Sequence, residues 1–268
     1  MLACGGLHTL ALNKKGEILS WGRGEVGQLG HPKESLENQT NGDSYLTRPR
    51  KIDSLVSKLN AVKISAGEDH SLALGINGEV YGWGFTSQSA GNAEKDKNSD
   101  SVNSATPVQI ESLKNKNIEK IYSGQTFCFF QNKKREIFGC GSNDHGQLGV
   151  EAQTKTGGTV RINYVVGPRK VEPLSNATIL HIDSGCNHSL GLAVMDNHLV
   201  LLGWGMQRHG QLGLGTGGTS ASGLRVIKHF TDCKIYKIGC GTFHSAVIVG
   251  EVSKNFNNVS LFPLTDKI

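Results

Sequence analysis

The sequence predicts an all-β protein: a β-propeller of four-stranded antiparallel blades, with four to five blades present and the ring incomplete or open. Three observations predict it. A glycine-led motif recurs at Gly5, Gly67, Gly124, Gly185 and Gly241, at periods of 62, 57, 61 and 56 residues, and periods of that length mark repeat architectures. Within each copy, apolar and polar residues alternate over short stretches bounded by turn residues, with no useful run of helical periodicity. Glycine is abundant (35 residues) and proline scarce (6), as many tight turns between strands require.

The second copy shows the elements best. Arg48–Asp53 reads as a short extended segment with Pro49 at its edge, and Ala61–Ala66 alternates as a half-buried strand does. His70–Gly75 alternates again, Asn77-Gly78 supplies the positive backbone angles of a tight hairpin, and Glu79–Trp83 returns. These four stretches are expected to form one unit. Equivalent turns fall at Asn13–Gly16, Gln131–Arg135 and Asp196-Asn197; the second of these lacks glycine and is expected to turn differently.

After the returning strand comes Gly-Gln-Leu-Gly, at Gly27–Gly30, Gly146–Gly149 and Gly210–Gly213. Its glycines suit tight bends with close backbone approach, and its leucine an apolar plug. In the second copy Ser89–Asn92 (SAGN) stands there instead. Long polar connections follow at His31–Thr47, Phe85–Thr106, Val150–Gly167 and Leu214–Leu224, and such loops are where a rigid sheet scaffold carries specificity. Residues 1–250 are expected to form one array, with units near 3–64, 65–121, 122–182 and 183–238 and a partial one over 239–264. Residues 251–268 are expected to be an irregular C-terminal segment.

Composition excludes several function classes. Twenty-eight basic and 23 acidic residues leave +5, too weak and dispersed to imply nucleic acid. Neither terminus supplies a basic tail. No segment has the continuous apolar length of a membrane span, and Met1 is not followed by a secretory leader pattern. Six cysteines occur without a Cys-x-x-Cys pair; Cys4, Cys186 and Cys240 neighbour a repeat glycine, and Cys140 replaces a repeat tryptophan. They read as small buried residues of a reducing, intracellular compartment, with cytoplasm and nucleus not separated. Gly213–Gly218 and Thr156–Thr159 lack the Gly-Lys-Ser/Thr ending of a phosphate loop. No catalytic set, metal site or cofactor is expected.

The recurring pattern CGG-x-HTLAL…WG…GQLG is carried by Gly5, His8, Trp21, Gly22 and Gly27–Gly30. It returns at Gly185, His188, Trp204, Gly205 and Gly210–Gly213. It resembles the regulator-of-chromosome-condensation repeat family, from Ala3 to about Val249. The resemblance implies a propeller, usually of seven blades; only four glycine-to-glycine periods are present here. The chain is expected to open on Leu7–Asn13 without the two strands that should precede it. Arg225–Phe230, Ile235–Cys240 and His244–Val249 would supply three strands of a last unit, with Val259–Leu264 as a candidate fourth. Open sheet edges invite association with another chain.

The repeat histidines His8, His70, His188 and His244 fall at one position of successive blades, so they form a ring and are expected to bond neighbouring backbone. Trp21, Trp83 and Trp204 are expected to pack between blades. Photoreceptor members of the family carry tryptophan between glycine and histidine; Gly5–Thr9, Gly67–Ser71 and Gly185–Ser189 do not. The residues between glycine and histidine do vary: Gly6-Leu7, Glu68-Asp69, Gln125-Thr126, Cys186-Asn187 and Thr242-Phe243. A repeated turn with changing side chains is how such arrays build a recognition surface. Partner-facing candidates are therefore Glu68, Asp69, Asn187 and Phe243, with Asp144, His145 and His209 after the returning strands. The expected function is a protein-interaction scaffold that binds a protein partner through these loops. The resemblance also implies an alternative, guanine nucleotide exchange on a Ran-like small GTPase, which needs no covalent catalytic group.

Overall fold

The computed structural model describes residues 1–38, 43–85, 104–153, 159–215, 220–231 and 233–250. Its strands form successive antiparallel meanders, the blades of a propeller. The first blade comprises Leu2–Cys4, His8–Leu12, Ile18–Arg23 and Ser44–Lys51, with the two-residue strand Glu37–Asn38 on its outer edge. The second comprises Ala61–Ala66, Asp69–Gly75, Val80–Phe85 and Ser104–Gln109. Ile118–Ser123, Phe127–Asn132, Ile137–Ser142 and Tyr164–Lys170 make the third, and Thr178–Ser184, His188–Met195, His198–Met206 and Ser220–Val226 the fourth. Of the fifth, Lys234–Cys240 and Ser245–Gly250 form a hairpin. A small ribbon, Glu151–Gln153 with Thr159–Arg161, projects from the third. Among the described residues each blade packs against the next through its inner strands, whereas the fifth does not pack comparably against the first, so the array is an open arc.

The expected grouping of strands is shifted by one. The segment containing Arg48–Lys51 pairs backward, Leu19 opposite Lys51 and Gly22 opposite Leu46, and so closes the first blade. The physical reason is that a meander pairs each strand with its nearest sequence neighbour, and a periodicity does not say where its unit begins. The first blade is therefore complete, because Leu2–Cys4 is its inner strand, paired with Thr9–Ala11. At the other end Ser220–Val226 belongs to the fourth blade and Lys228–Phe230 is a short 3-10 turn. Val259–Leu264 lies outside the described residues.

Three of the four hairpins that join the second strand of a blade to its third turn alike. In Asn13–Glu17, Gly75–Glu79 and Asn132–Glu136 the fourth residue's N–H donates to the first carbonyl, at 3.2, 3.0 and 2.9 Å. That fourth residue is left-handed each time: Gly16 (φ 77°), Gly78 (φ 89°) and Arg135 (φ 68°). Arg135 thus takes the glycine's conformation, and the turn without glycine is not a different kind. Nor does Asn77 share the positive angle. The fourth hairpin is the odd one, with Asp196 and Asn197 both left-handed (φ 49° and 64°), the two-residue turn whose twist matches its strands.

After each outer strand a short helical turn carries the chain to the next blade. Leu55, Leu113 and Leu174 in these turns are buried. The core is the sequence of interfaces between sheets. One cluster runs from Leu72 and Leu74 through Phe127, Phe129 and Phe130 to Leu202 and Trp204. Among the described residues no helix is long and apolar enough to cross a membrane.

Candidate protein-interaction face

Strand direction divides the molecule into two ends. The turn from the inner strand to the second, and the connection from the third to the fourth, lie at one end. The tight hairpins and helical turns lie at the other. Every position singled out from the sequence as partner-facing falls at the first end.

That end is built on a latch repeated at blade junctions. The backbone carbonyl of Gln28 accepts the indole N–H of Trp83 (3.0 Å) and the hydroxyl of Ser71 (2.8 Å), both from the next blade. Gln147 repeats this with Trp204 (2.7 Å) and Ser189 (3.0 Å), and Gln211 accepts Ser245 at 2.8 Å. Two of the hydroxyls also meet the preceding blade's histidine: His8 Nε2 lies 2.9 Å from Ser71 Oγ, and His188 Nε2 lies 3.0 Å from Ser245 Oγ. His8 and His188 therefore reach a serine on the next blade, in addition to the bond to neighbouring backbone that was expected, at Glu68 and His244 respectively. Burial holds the imidazoles of His8 and His188 down to about 4 and that of His70 to about 3. They are neutral at physiological pH and serve as structure.

A second chain of bonds runs round the axis. Gly6 N–H donates to the Glu68 carbonyl (3.1 Å), Glu68 N–H to Gln125 (2.8 Å), Gln125 N–H to Gly185 (3.0 Å) and Cys186 N–H to Thr242 (3.2 Å). Here the repeat glycines earn their place: a Cβ on Gly5, Gly67 or Gly185 would collide with the carbonyl of the next blade's glycine. The two sets of bonds fix the backbone of each Gly-x-x-His turn and leave its middle side chains free to vary.

The candidates pair across these junctions. At the first, Gln28 Nε2 donates to Asp69 Oδ1 at 3.1 Å, beside the Arg23–Glu25 ion pair and the exposed Glu68. Burial, and then Glu68 next to it, raise the Asp69 carboxyl above its ordinary range. At the junction of the third and fourth blades, Gln147 Nε2 donates to Ser142 Oγ (3.0 Å) and Asn187 Oδ1 (3.3 Å). His145 N–H donates to Gln147 Oε1 (2.9 Å), and exposed Asp144 accepts from Ser142 (3.2 Å). At the last junction Phe243 (52% exposed) stands edge-on to His209, with ring centres 6.1 Å apart. The structure thus gathers Asp69 with Glu68, Asn187 with Asp144 and His145, and Phe243 with His209, as three separate groups on one rim. They do not converge on a single point.

The sequence reading missed Gln28, Gln147, Gln211, Ser71, Ser189 and Ser245. The signal was present, since Gln recurs in every Gly-Gln-Leu-Gly and Ser follows three of the histidines. What could not be seen is that the two motifs meet between different blades. The cysteines also differ in part from expectation. All six are free thiols, Cys128 and Cys140 are buried, but Cys4 is exposed and Cys186 and Cys240 only half-buried.

Comparison with known proteins agrees with this architecture. The regulator of chromosome condensation (RCC1) repeat model matches residues 15–74, 136–192 and 200–248, and a second RCC1 repeat model matches 61–89. The ultraviolet-B receptor UVR8 of Arabidopsis thaliana is 28% identical over 247 residues, which are 92% of this chain and 50% of that protein. The guanine nucleotide exchange factor SRM1 of Saccharomyces cerevisiae is 29% identical over 231 residues, 79% of this chain and 45% of that one. Among solved structures, yeast RCC1 (Prp20) bound to Kap60 aligns with a TM-score of 0.73 at 26% identity, over 92% of this chain and 53% of its own. Human WBSCR16 aligns at 0.70 with 20% identity, over 93% and 57%. The chain spans about half the length of these relatives, and it belongs to the RCC1 repeat family.

Proposed function

We propose that residues 1–250 act as one array, a protein-interaction scaffold whose partner docks on the rim carrying Glu68, Asp69, Asn187, Phe243, Asp144, His145 and His209. One observation carries the reading. The turns that form the rim have their backbone fixed by inter-blade bonds, while their outward side chains change from acidic to amide to aromatic around the arc. A rigid frame with varied display is what recognition needs, because little conformational entropy is lost on docking.

The test is site-specific photo-crosslinking. A crosslinker at position 68, 187 or 243 is expected to capture discrete protein partners, and one at Lys15 or Lys134, in hairpins of the opposite end, is not. Equal capture from both ends would defeat the proposal.

The likeness to SRM1 favours a second reading, exchange of guanine nucleotide on a Ran-like small GTPase. Such activity rests on preferential binding of the nucleotide-free GTPase, so the family's shared surface would suffice. Release of fluorescent GDP by catalytic amounts of the chain distinguishes the two. Accelerated release supports exchange; a stable complex without release supports the scaffold.

A further inference from the structure

The junction between the fourth blade and the fifth differs from those that carry a tryptophan. At the others, Trp83 lies opposite Ser71 and Trp204 opposite Ser189 in the strand pairing. Each indole covers the last glycine of the preceding Gly-Gln-Leu-Gly. A Cβ on Gly30 would stand 3.0 Å from Trp83 Nε1, and one on Gly149 would stand 3.6 Å from Trp204 Cδ1. At the last junction a Cβ on Gly213 would meet nothing within 4 Å among the described residues. A groove of about 310 Å³ lies there instead, walled by Leu190, Leu212, Ile227 and Val247 and ending at Phe243.

Two polar groups face this groove unmatched. Among the described residues the Gln211 carbonyl accepts the Ser245 hydroxyl alone, where its counterparts accept a serine and an indole. Gln211 is 5% exposed, and among the described residues its Nε2 has no hydrogen-bond partner, because Phe243 replaces the Asp69 or Asn187 acceptor. Beside the groove, Ser245–Gly250 pairs on one side with Lys234–Cys240 and, among the described residues, with nothing on the other. The chain's own tryptophans follow their histidines by 13, 13 and 16 residues, whereas positions 257–260, at that distance from His244, are Asn-Asn-Val-Ser.

We propose that this groove and edge form a strand-addition site for a partner's extended segment bearing a tryptophan. The strand would pair with Ser245–Gly250, its indole would lie opposite Ser245 over Gly213, and the indole N–H would donate to the Gln211 carbonyl. Backbone pairing supplies affinity and the pocket supplies selection, the mode of recognition by sheet augmentation. The site shares Phe243 with the rim, but its pairing edge, Ser245–Gly250, is no part of the rim reading, so either can fail alone.

The probe is a labelled nine-residue peptide copying Gly16–Gly24 (GEILSWGRG), a third strand of the same repeat, titrated into the full chain by fluorescence anisotropy. Saturable binding is expected, weakened roughly tenfold or more by Trp21→Ala in the peptide. Naphthylalanine at that position, similar in area but without the N–H, is expected to cost roughly fivefold. In the protein, Val247→Arg is expected to abolish binding. Ile248→Arg, on the opposite face of the same strand, should leave it within about twofold, with circular dichroism confirming that both variants fold. No binding to the full chain, binding indifferent to the tryptophan, or equal damage from both variants would overturn the proposal. So would dimers of the chain that the peptide dissociates, which would assign the groove to a second copy.

Discussion

Where the third blade meets the fourth, the interface is polar at its centre. The Gln147 carbonyl gathers the Trp204 indole and the Ser189 hydroxyl in a fully buried cluster. Where the second blade meets the third, the two donor positions hold Cys128 for serine and Cys140 for tryptophan. The stretch that would supply the acceptor, 89–92, reads Ser-Ala-Gly-Asn and lies outside the described residues. Cys128 and Cys140 face each other with sulfurs 3.3 Å apart. His70, whose counterpart His8 meets a serine, is buried with neither ring nitrogen bonded among the described residues. The comparison teaches that the latch is lost as a unit: without the glutamine motif, both donors have given way to groups that ask little of an acceptor. Apolar packing then takes the place of the latch at that junction, beside the Glu68–Gln125 backbone bond and the Ser65–Ser123 hydroxyl bond.

If the two junctions are held by different forces, truncation should separate them most. Trp204→Ala removes an indole that is wholly buried and leaves the Gln147 carbonyl one donor short, a loss of about 3–5 kcal/mol. Cys140→Ala deletes one sulfur from the corresponding position and should cost about 1 kcal/mol. Urea midpoints of the two variants check this; equal losses would erase the distinction.

Acid should find the histidine junctions next. His8, His31, His70 and His188 are all depressed by burial, to between about 3 and about 4, against 6.5 in the unfolded chain. The unfolded state therefore binds more protons in this window. The stability these groups contribute is complete above pH 6.5 and is lost as pH falls toward 4, on the order of 3 kcal/mol for each. Asp69 and Asp183, raised by burial, oppose the trend. His188→Phe copies the third blade's Phe127 and should flatten the slope between pH 6.5 and 4 by about one histidine's share, read from urea unfolding across that range. An unchanged slope would mean that His188 is not the buried neutral group described.

The smallest effect tests the coupling itself. Cys128→Ser restores to His70 the hydroxyl that His8 finds in Ser71, and should stabilise by up to about 1 kcal/mol. A thermal melt showing clear destabilisation would mean that the thiol pair matters more to this junction than the orphaned imidazole does.

Much of this was legible in the residues. The period, the alternation and the turn signals identified blades, and the variable pairs Glu68-Asp69, Cys186-Asn187 and Thr242-Phe243 marked the turns that lie together at one end. The phase of the blades was not legible, because Ser44–Lys51 has no local mark of belonging to the strand before it. Nor was the latch, since Gln28 and Trp83 are 55 residues apart and each looks self-sufficient within its own motif. Arg135 shows a third limit: it occupies a glycine's left-handed conformation, which the strands on either side impose against its local preference.

By itself the sequence determined what depends on near neighbours: strand alternation, hairpin turns, the bends at Gly27 and Gly30, and the family pattern. Only the tertiary structure decided what depends on the packing of one blade against the next. It set which carbonyl receives an indole, why Gly5, Gly67 and Gly185 tolerate no Cβ, and where a groove stands over Gly213. Repetition makes each motif readable alone, while the forces that hold the array act between copies, where separations along the chain are long.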